Sequence, residues 1–224
     1  IPGGQTIPTL PIHRKLTEGI NYFFAALPDD EARAGIAKVG ERFRKAHRVS
    51  GSPVGPERFH MTLAPMGKPE RLRQPVEAAL LAAAAEVRAE AFEASLDSAM
   101  RFSATDGRFP FVLCGDAATT DAAMKLRRAI AVEQLRFGLY VPGVSSFLPH
   151  VTVLYGHTVG AIQESIPPVR WPVSEFVLIR SFFGQSTHEV IGRWPLQMPA
   201  RPEVPDYFTE MEEWQRESDA PTDG

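Results

Sequence analysis

Two short segments of the chain carry the same combination of titratable and hydroxyl side chains. The pattern His-x-Thr-x, with apolar residues at both x positions, occurs as His60-Met61-Thr62-Leu63 and again as His150-Val151-Thr152-Val153. Because alternate side chains of a strand point to one face, the histidine and the threonine of each segment project to the same side. The four apolar residues then face the opposite, packed side.

Two histidines and two threonines suit the hydrolysis of a cyclic phosphate ester. In-line attack needs a base for the water and an acid for the leaving oxygen, and histidine titrates close enough to neutral pH to serve as either. Threonine hydroxyls donate hydrogen bonds to the non-bridging oxygens, where negative charge develops. We therefore predict that His60 and His150 form the acid–base pair and that Thr62 and Thr152 bind phosphate, with no metal ion required.

The two segments lie at equivalent places in an apparent internal duplication. A strand, a capped helix, a loop rich in Gly, Pro and Ser, and a strand that begins with histidine occur twice in the same order. A single His-x-Thr match is explained equally well by a buried histidine bonded to backbone, but its repetition favours a functional pair. We predict one bilobal α+β domain with a pseudo-two-fold axis, in which antiparallel sheets line a central cleft and helices pack outside.

Apolar periodicity and capping residues predict the elements that position the two segments. Strands are predicted over residues 20–27, 59–66, 91–103, 109–114, 149–155, 174–183 and 189–196, with a hairpin turn between the last two. Helices are predicted over residues 30–47 after the cap at Asp29-Asp30, over residues 68–90 opened by Lys68-Pro69-Glu70, and to residue 137 from a cap at Thr119/Thr120-Asp121.

Composition divides the chain into three parts. Residues 1–19 are predicted to form an N-terminal arm, and residues 20–198 the single domain, with repeat 1 at about 20–67 and repeat 2 at about 109–156. Residues 199–224 are rich in Asp and Glu and are predicted to be a disordered acidic tail. The net charge of −3 argues against an extended grip on long nucleic acid.

The residues around both motifs resemble the two-histidine phosphoesterase superfamily, in particular its LigT-like branch of RNA 2′,3′-cyclic phosphodiesterases, also called 2′-5′ RNA ligases. The likeness covers about residues 20–196 and is carried by Phe23–Pro28, Pro56–Leu63, Phe147–Val153, Leu178–Ser181 and Arg193–Leu196. The resemblance implies that a 2′,3′-cyclic phosphate opens to a 2′-phosphomonoester and that the reverse reaction forms a 2′-5′ bond. It assigns His60 as proton donor and His150 as proton acceptor.

Four further residues are candidate substrate contacts. Arg58 and Arg180 are cations suited to phosphate, and simple solvent exposure is the alternative for both. Phe147 and Tyr155 offer rings on which a base stacks, with ordinary packing as the alternative. Because no Arg or Lys flanks the second motif, we expect an RNA 3′ end, a short oligonucleotide or a nucleotide with a 2′,3′-cyclic phosphate rather than long RNA.

Other motifs and composition narrow the remaining classes. No apolar run reaches the roughly 18 residues of a membrane span, and Cys114, as the single cysteine, leaves no intramolecular disulfide or Cys-rich metal site. No metalloprotease, P-loop or dinucleotide glycine motif is present, so we expect no cofactor and no metal. We expect a cytoplasmic monomer. Four histidines are predicted to be structural: His13, His47, His157 and His188.

Two other functions remain compatible with the motifs. One is a binding module that holds phosphorylated RNA ends without turnover, although a pure binder has no need of paired titrating groups. The other is a two-histidine enzyme for a different ester, such as ADP-ribose 1″,2″-cyclic phosphate or a 3′ RNA end that is trimmed.

Overall fold

A computed structural model describes residues 20–65, 68–69, 75–103, 108–141, 147–157, 162–182 and 187–198. The fold is α+β, as predicted. The helices are α1 (Asp30–Ala46), α2 (Val76–Glu86) and α3 (Ala117–Arg136), with a 3-10 turn at Pro56–Arg58. The strands are β1 (Ile20–Ala26), β2 (Ser50–Pro53), β3 (Met61–Pro65), β4 (Lys68–Pro69), β5 (Phe92–Arg101), β6 (Phe109–Gly115), β7 (Leu139–Tyr140), β8 (His150–His157), β9 (Gln163–Val173), β10 (Glu175–Phe182) and β11 (Thr187–Pro195). The predicted N-terminal arm and acidic tail lie outside the described residues.

Nine of the strands form one antiparallel sheet. Their order is β11-β10-β1-β3-β8-β6-β5-β9, and β2 pairs with the far end of β8. The two strands that carry the motifs, β3 and β8, are central neighbours, and each is flanked by the first strand of its own predicted repeat. The short strands β4 and β7 form a separate pair. A single sheet thus spans both predicted repeats, and their origin by duplication into two lobes stays a prediction.

The helices pack against one face of the sheet and create the main core. Side chains from all three helices and from alternate strand positions are buried there, among them Ile36, Phe43, Leu80, Leu126, Phe24, Met61, Leu63, Phe111, Val151 and Leu178. A smaller apolar cluster lies on the opposite face and is formed by Phe23, Ala25, Val177 and Ile179. Because side chains alternate along β1 and β10, each of these strands has one face toward the helices and the other face on the opposite side of the sheet.

The N-cap of α1 is predicted correctly and that of α3 is not. The Asp29 carboxylate accepts a hydrogen bond from the backbone N–H of Ala32 at 2.8 Å. In α3 the cap is Asp116, which accepts from the backbone N–H of Thr119 at 2.8 Å. Thr119 lies inside the first turn, where its buried hydroxyl accepts from the Ser95 backbone N–H at 2.8 Å. Aspartate caps helices well, and the alanines that follow it favour an earlier start.

The second helix is shorter than predicted. Lys68 and Pro69 pair with β7 as a strand, and α2 begins at Val76, directly after Pro75. It ends at Glu86 rather than near residue 90, because Val87 is already extended. The alanine-rich run indicated a helix without fixing its ends.

Strands β2, β7 and β9 are absent from the prediction. Pro167, Pro168 and Pro172 argue against a strand at β9. Among the described strands, however, β9 lies at the edge of the sheet and pairs with β5, and prolines are tolerated in edge strands. The segment of β2 was predicted as a loop because of its Gly and Pro residues, and its pairing with β8 depends on contacts remote in sequence.

Candidate active site

The two His-x-Thr segments meet where β3 and β8 run side by side. Met61 pairs with Val151 in antiparallel register, so the neighbouring positions set His60 opposite Thr152 and Thr62 opposite His150. Met61 and Val151 are fully buried on the helix side. Alternation therefore turns the histidines and threonines to the opposite side of the sheet, which we call the motif side. The two segments are related by a local two-fold axis through the Met61–Val151 pair.

A β-bulge follows the threonine in both segments. The register of β3 against β1 shifts after Thr62, which makes Leu63 the extra residue. The register of β8 against β6 shifts after Thr152, which makes Val153 the extra residue. Both extra residues are buried in the core. Bulges re-aim side chains and are frequent beside active sites, and here the same irregularity occurs at the same place twice.

The carbonyl two residues earlier holds each histidine ring. His60 Nδ1 lies 2.7 Å from the Arg58 carbonyl oxygen, and His150 Nδ1 lies 2.8 Å from the Leu148 carbonyl oxygen. Because a carbonyl only accepts hydrogen bonds, both rings donate from Nδ1–H. This assigns the tautomer and leaves Nε2 of each ring as the atom that exchanges a proton.

The surroundings of the two rings differ. The His60 ring centroid lies 4.9 Å from that of Phe23 and 5.1 Å from that of His188, which meets it edge-on. The His150 ring contacts Phe102 edge-on, with centroids 4.8 Å apart. His188 was predicted to be a structural residue in a turn, yet it lies in β11 and reaches the first motif. Strand β11 begins at Thr187, two residues before the predicted start at residue 189.

Burial lowers the pKa of both motif histidines. For His60, burial and the charges of His188, His150 and Arg58 lower the pKa to about 4, against the hydrogen bond to the Arg58 carbonyl, which raises it. Burial also lowers the pKa of His150, opposed by its hydrogen bond to the Leu148 carbonyl. Both imidazoles are therefore mainly neutral at pH 7 before substrate binds. The effect of His150 on His60 also indicates that the two rings share one electrostatic environment.

Of the four predicted substrate contacts, Arg58 and Tyr155 lie on the motif side of the sheet. The Arg58 charge acts on His60, and its Nε lies 3.7 Å from Oε1 of Glu57. The bulge at Val153 resets the alternation along β8, so Tyr155 faces the same side as Thr152. Its side chain is 39% exposed, and the Arg108 guanidinium lies 5.4 Å from the ring centroid.

The side chains of Phe147 and Arg180 point away from the motif side of the sheet. Phe147 packs against the core beneath the Arg127 guanidinium, which lies 4.9 Å from its ring centroid. Arg180 faces the helix side, since Ile179 beside it belongs to the cluster on the opposite side. It donates to the Glu77 carboxylate at 3.0 Å and to Glu189 at 2.8 Å. Both side chains thus point away from the motif histidines, and their contact with substrate stays a prediction.

A buried arginine that the sequence did not single out lies behind the motifs. Arg127 of α3 is 9% exposed, and its Nη1 donates to the carbonyl of Leu63 at 3.2 Å. Its guanidinium also lies over Phe147, one residue before the carbonyl that orients His150. Arg127 thus connects the bulge of the first motif to the segment that leads into the second.

Cys114 lies beside the second motif and is chemically inert. It pairs with His150 in the register of β6 and β8 and is almost completely buried. Burial and the charge of Asp97 raise its pKa to about 12, so the thiol stays protonated.

In the described part of the chain, no group of three or more His, Cys, Asp or Glu residues is arranged to hold a metal ion. The described helices include none that is long and apolar enough to cross a membrane.

Comparisons with known proteins extend the likeness beyond the motifs. Residues 28–181 match the family model of the 2′-5′ RNA ligase superfamily. The crystal structure of E. coli LigT in apo form is 26% identical and covers 81% of this chain and 99% of that chain, with a TM-score of 0.58. The complex of E. coli LigT with 3′-AMP is 27% identical and covers 81% and 100%, with a TM-score of 0.57. TT0787 of Thermus thermophilus is 22% identical, covers 80% and 99% at a TM-score of 0.59, and shares the fold. No curated protein matches the chain.

Proposed function

Since the chain belongs to the 2′-5′ RNA ligase superfamily and is a LigT-like two-histidine phosphoesterase, we propose that it hydrolyses 2′,3′-cyclic phosphates. The substrate is an RNA 3′ end, a short oligonucleotide or a nucleotide, and the product is a 2′-phosphomonoester. The reverse reaction would join RNA ends through a 2′-5′ bond. The observation that carries this proposal is the Met61–Val151 pair, about which the two His-x-Thr segments are arranged symmetrically.

In the proposed reaction, water attacks phosphorus in line with the bond to O3′. Nε2 of His150 accepts the proton of the water as the new P–O bond forms. Nε2 of His60 donates a proton to O3′ as the P–O3′ bond breaks, and the phosphate stays on O2′. The hydroxyls of Thr62 and Thr152 donate hydrogen bonds to the non-bridging oxygens, where charge builds up.

The lowered pKa values have a consequence for this mechanism. One histidine has to be protonated and the other neutral, but both rings are mainly neutral at pH 7 before substrate binds. The negative charge of the bound phosphate favours an imidazolium beside it and raises the pKa again. We therefore expect one proton to be taken up as substrate binds. Calorimetric titration of a non-hydrolysable phosphate diester in buffers of different ionisation enthalpy measures this uptake.

The substrate class is supported by two observations. A solved structure of E. coli LigT contains 3′-AMP, a nucleotide with a phosphate on its ribose. In this chain the half-exposed ring of Tyr155 lies on the motif side of the sheet, where a base would stack against it.

The product of a 2′,3′-cyclic mononucleotide tests the proposal, with phosphorus NMR to locate the phosphate. We expect the 2′-phosphate alone. A 3′-phosphate would contradict the proposed direction of opening. Binding without turnover would indicate a binding module, and turnover of ADP-ribose 1″,2″-cyclic phosphate alone would indicate a different substrate class.

A further inference from the structure

His188 shares the motif side of the sheet with His60 but belongs to neither motif. It pairs with Ser181 of β10, and Ser181 pairs with Asn21 of β1. Its ring centroid lies 5.1 Å from that of His60 and 5.6 Å from that of Phe23. Strands β10 and β1 lie between β11 and β3 in the sheet, yet the two histidine rings reach each other across them.

The positive charge of Arg58 and the neighbouring imidazole donors make this end of the site attractive to an anion, although burial and Arg58 lower the pKa of His188. The Arg58 charge acts on both His60 and His188, so two histidines and an arginine lie together. The His150 ring instead contacts the apolar ring of Phe102, and its register partner in β6 is the buried Cys114. An anion bound at His60 is therefore also next to His188.

The His188 ring is available to a ligand. The side chain is partly exposed, and no residue in the described part of the chain is hydrogen-bonded to its ring. Two imidazoles this close can donate to different oxygens of one phosphate, each over about 2.8 Å. Such charge-assisted bonds are stronger than bonds between neutral groups.

We propose that His188 is a third functional histidine, which binds the phosphate of the substrate beside His60 by donating a hydrogen bond to a non-bridging oxygen. This rests on the proposed function in one respect, namely that the bound phosphate is that of a cyclic ester. The alternative is that the His188 ring only packs against Phe23 and His60.

A phenylalanine at position 188 separates these two roles, because His188→Phe keeps a ring for packing and removes the donor. Val190→Ala is the matched control, since Val190 is exposed, lies two residues further along β11 and faces the same side. Binding of inorganic phosphate is measured by calorimetry, and turnover of a 2′,3′-cyclic mononucleotide by phosphorus NMR. We expect His188→Phe to weaken phosphate binding by about 10-fold and to lower kcat/KM to a similar extent, with Val190→Ala unchanged.

The two readouts separate the failure of this proposal from the failure of the proposed function. Unchanged phosphate affinity in His188→Phe, or no measurable phosphate binding by the wild type, would overturn the role of His188. If the wild type does not turn over cyclic nucleotides but His188→Phe still loses phosphate affinity, the proposed function fails and the anion site at His188 stands.

Discussion

Within each His-x-Thr segment the backbone repeats the same arrangement. A carbonyl two residues earlier fixes the ring, the threonine lies opposite the histidine of the other segment, and a bulge follows. The similarity ends outside the segments, where His60 has Phe23, His188 and Arg58 as neighbours and His150 has Phe102. The in-line displacement that we propose needs an acid and a base on the two sides of phosphorus, and the two similar segments would supply them. The unequal surroundings place Arg58 and His188 beside His60 and the Phe102 ring beside His150, which gives the site a direction.

Apart from the two motif histidines, the largest effect we expect within the His-x-Thr segments is at the threonines. Thr62→Val and Thr152→Val each remove one hydroxyl donor while keeping the branched shape that suits a strand. Each should lower kcat for a 2′,3′-cyclic mononucleotide by about 100-fold, the usual cost of losing one donor to a developing oxyanion. Equal losses would support equivalent roles. A loss of less than about 3-fold at either position would contradict a phosphate contact there.

A second prediction concerns the connection between the two motifs through Arg127. Arg127→Met leaves the buried Leu63 carbonyl without this donor, which costs about 1–3 kcal/mol in the free energy of unfolding. As a positioning residue, Arg127 should also affect kcat more than KM. Urea unfolding and steady-state kinetics measure the two effects. Arg128→Met is the control, because Arg128 is the exposed neighbour on the same helix. A kcat that matches the control would limit Arg127 to a role in stability.

The pH dependence should separate the two histidines. Because burial lowers both pKa values, the profile of kcat/KM should peak on the acid side of pH 6.5, with one limb at the His60 pKa of about 4. Arg58→Met removes a positive charge that lowers the His60 pKa, so this limb should move to higher pH. The other limb, which reports His150, should stay in place. Circular dichroism over the same range verifies folding, and a shift of both limbs would contradict the assignment.

The smallest effect we expect is at Tyr155, on the motif side of the sheet. Tyr155→Leu should raise KM for a cyclic mononucleotide by about 5-fold through the loss of base stacking, and should leave inorganic phosphate binding unchanged. Phe147→Leu is the comparison, since Phe147 packs against the core and should affect stability rather than KM. Equal KM values for wild type and Tyr155→Leu would contradict a contact between Tyr155 and the substrate base.

The sequence predicts the motif geometry well because strand alternation is local. The period of two alone places His60 and Thr62 on one side and Met61 and Leu63 in the core, and the structure has both apolar residues fully buried. The same rule places the Arg180 side chain on the helix side of the sheet, because its neighbour Ile179 lies on the opposite side. To apply the rule to Arg180, one must know which residues of β10 pair with β1.

Residues that depend on strand order could not be found in this way. His188 contacts His60 because β11, β10, β1 and β3 are neighbours, an order set by pairings between segments far apart in sequence. Arg127 lies on α3 and donates a hydrogen bond to Leu63 of β3. The pattern of buried residues along α3 includes Arg127 but does not reveal this partner. The geometry of each His-x-Thr segment can thus be predicted from the sequence. The residues that make the surroundings of the two histidines unequal are brought there by the tertiary fold.

The most direct test of the paired-histidine mechanism is hydrolysis of a 2′,3′-cyclic mononucleotide in EDTA by the wild type, His60→Ala, His150→Ala and the double variant. The mechanism predicts turnover by the wild type and a loss of at least about 100-fold in each single variant. The double variant should be little worse than either single one, because the two residues act as a unit. Turnover that EDTA abolishes, a single variant that keeps most of its activity, or losses that multiply in the double variant would contradict it.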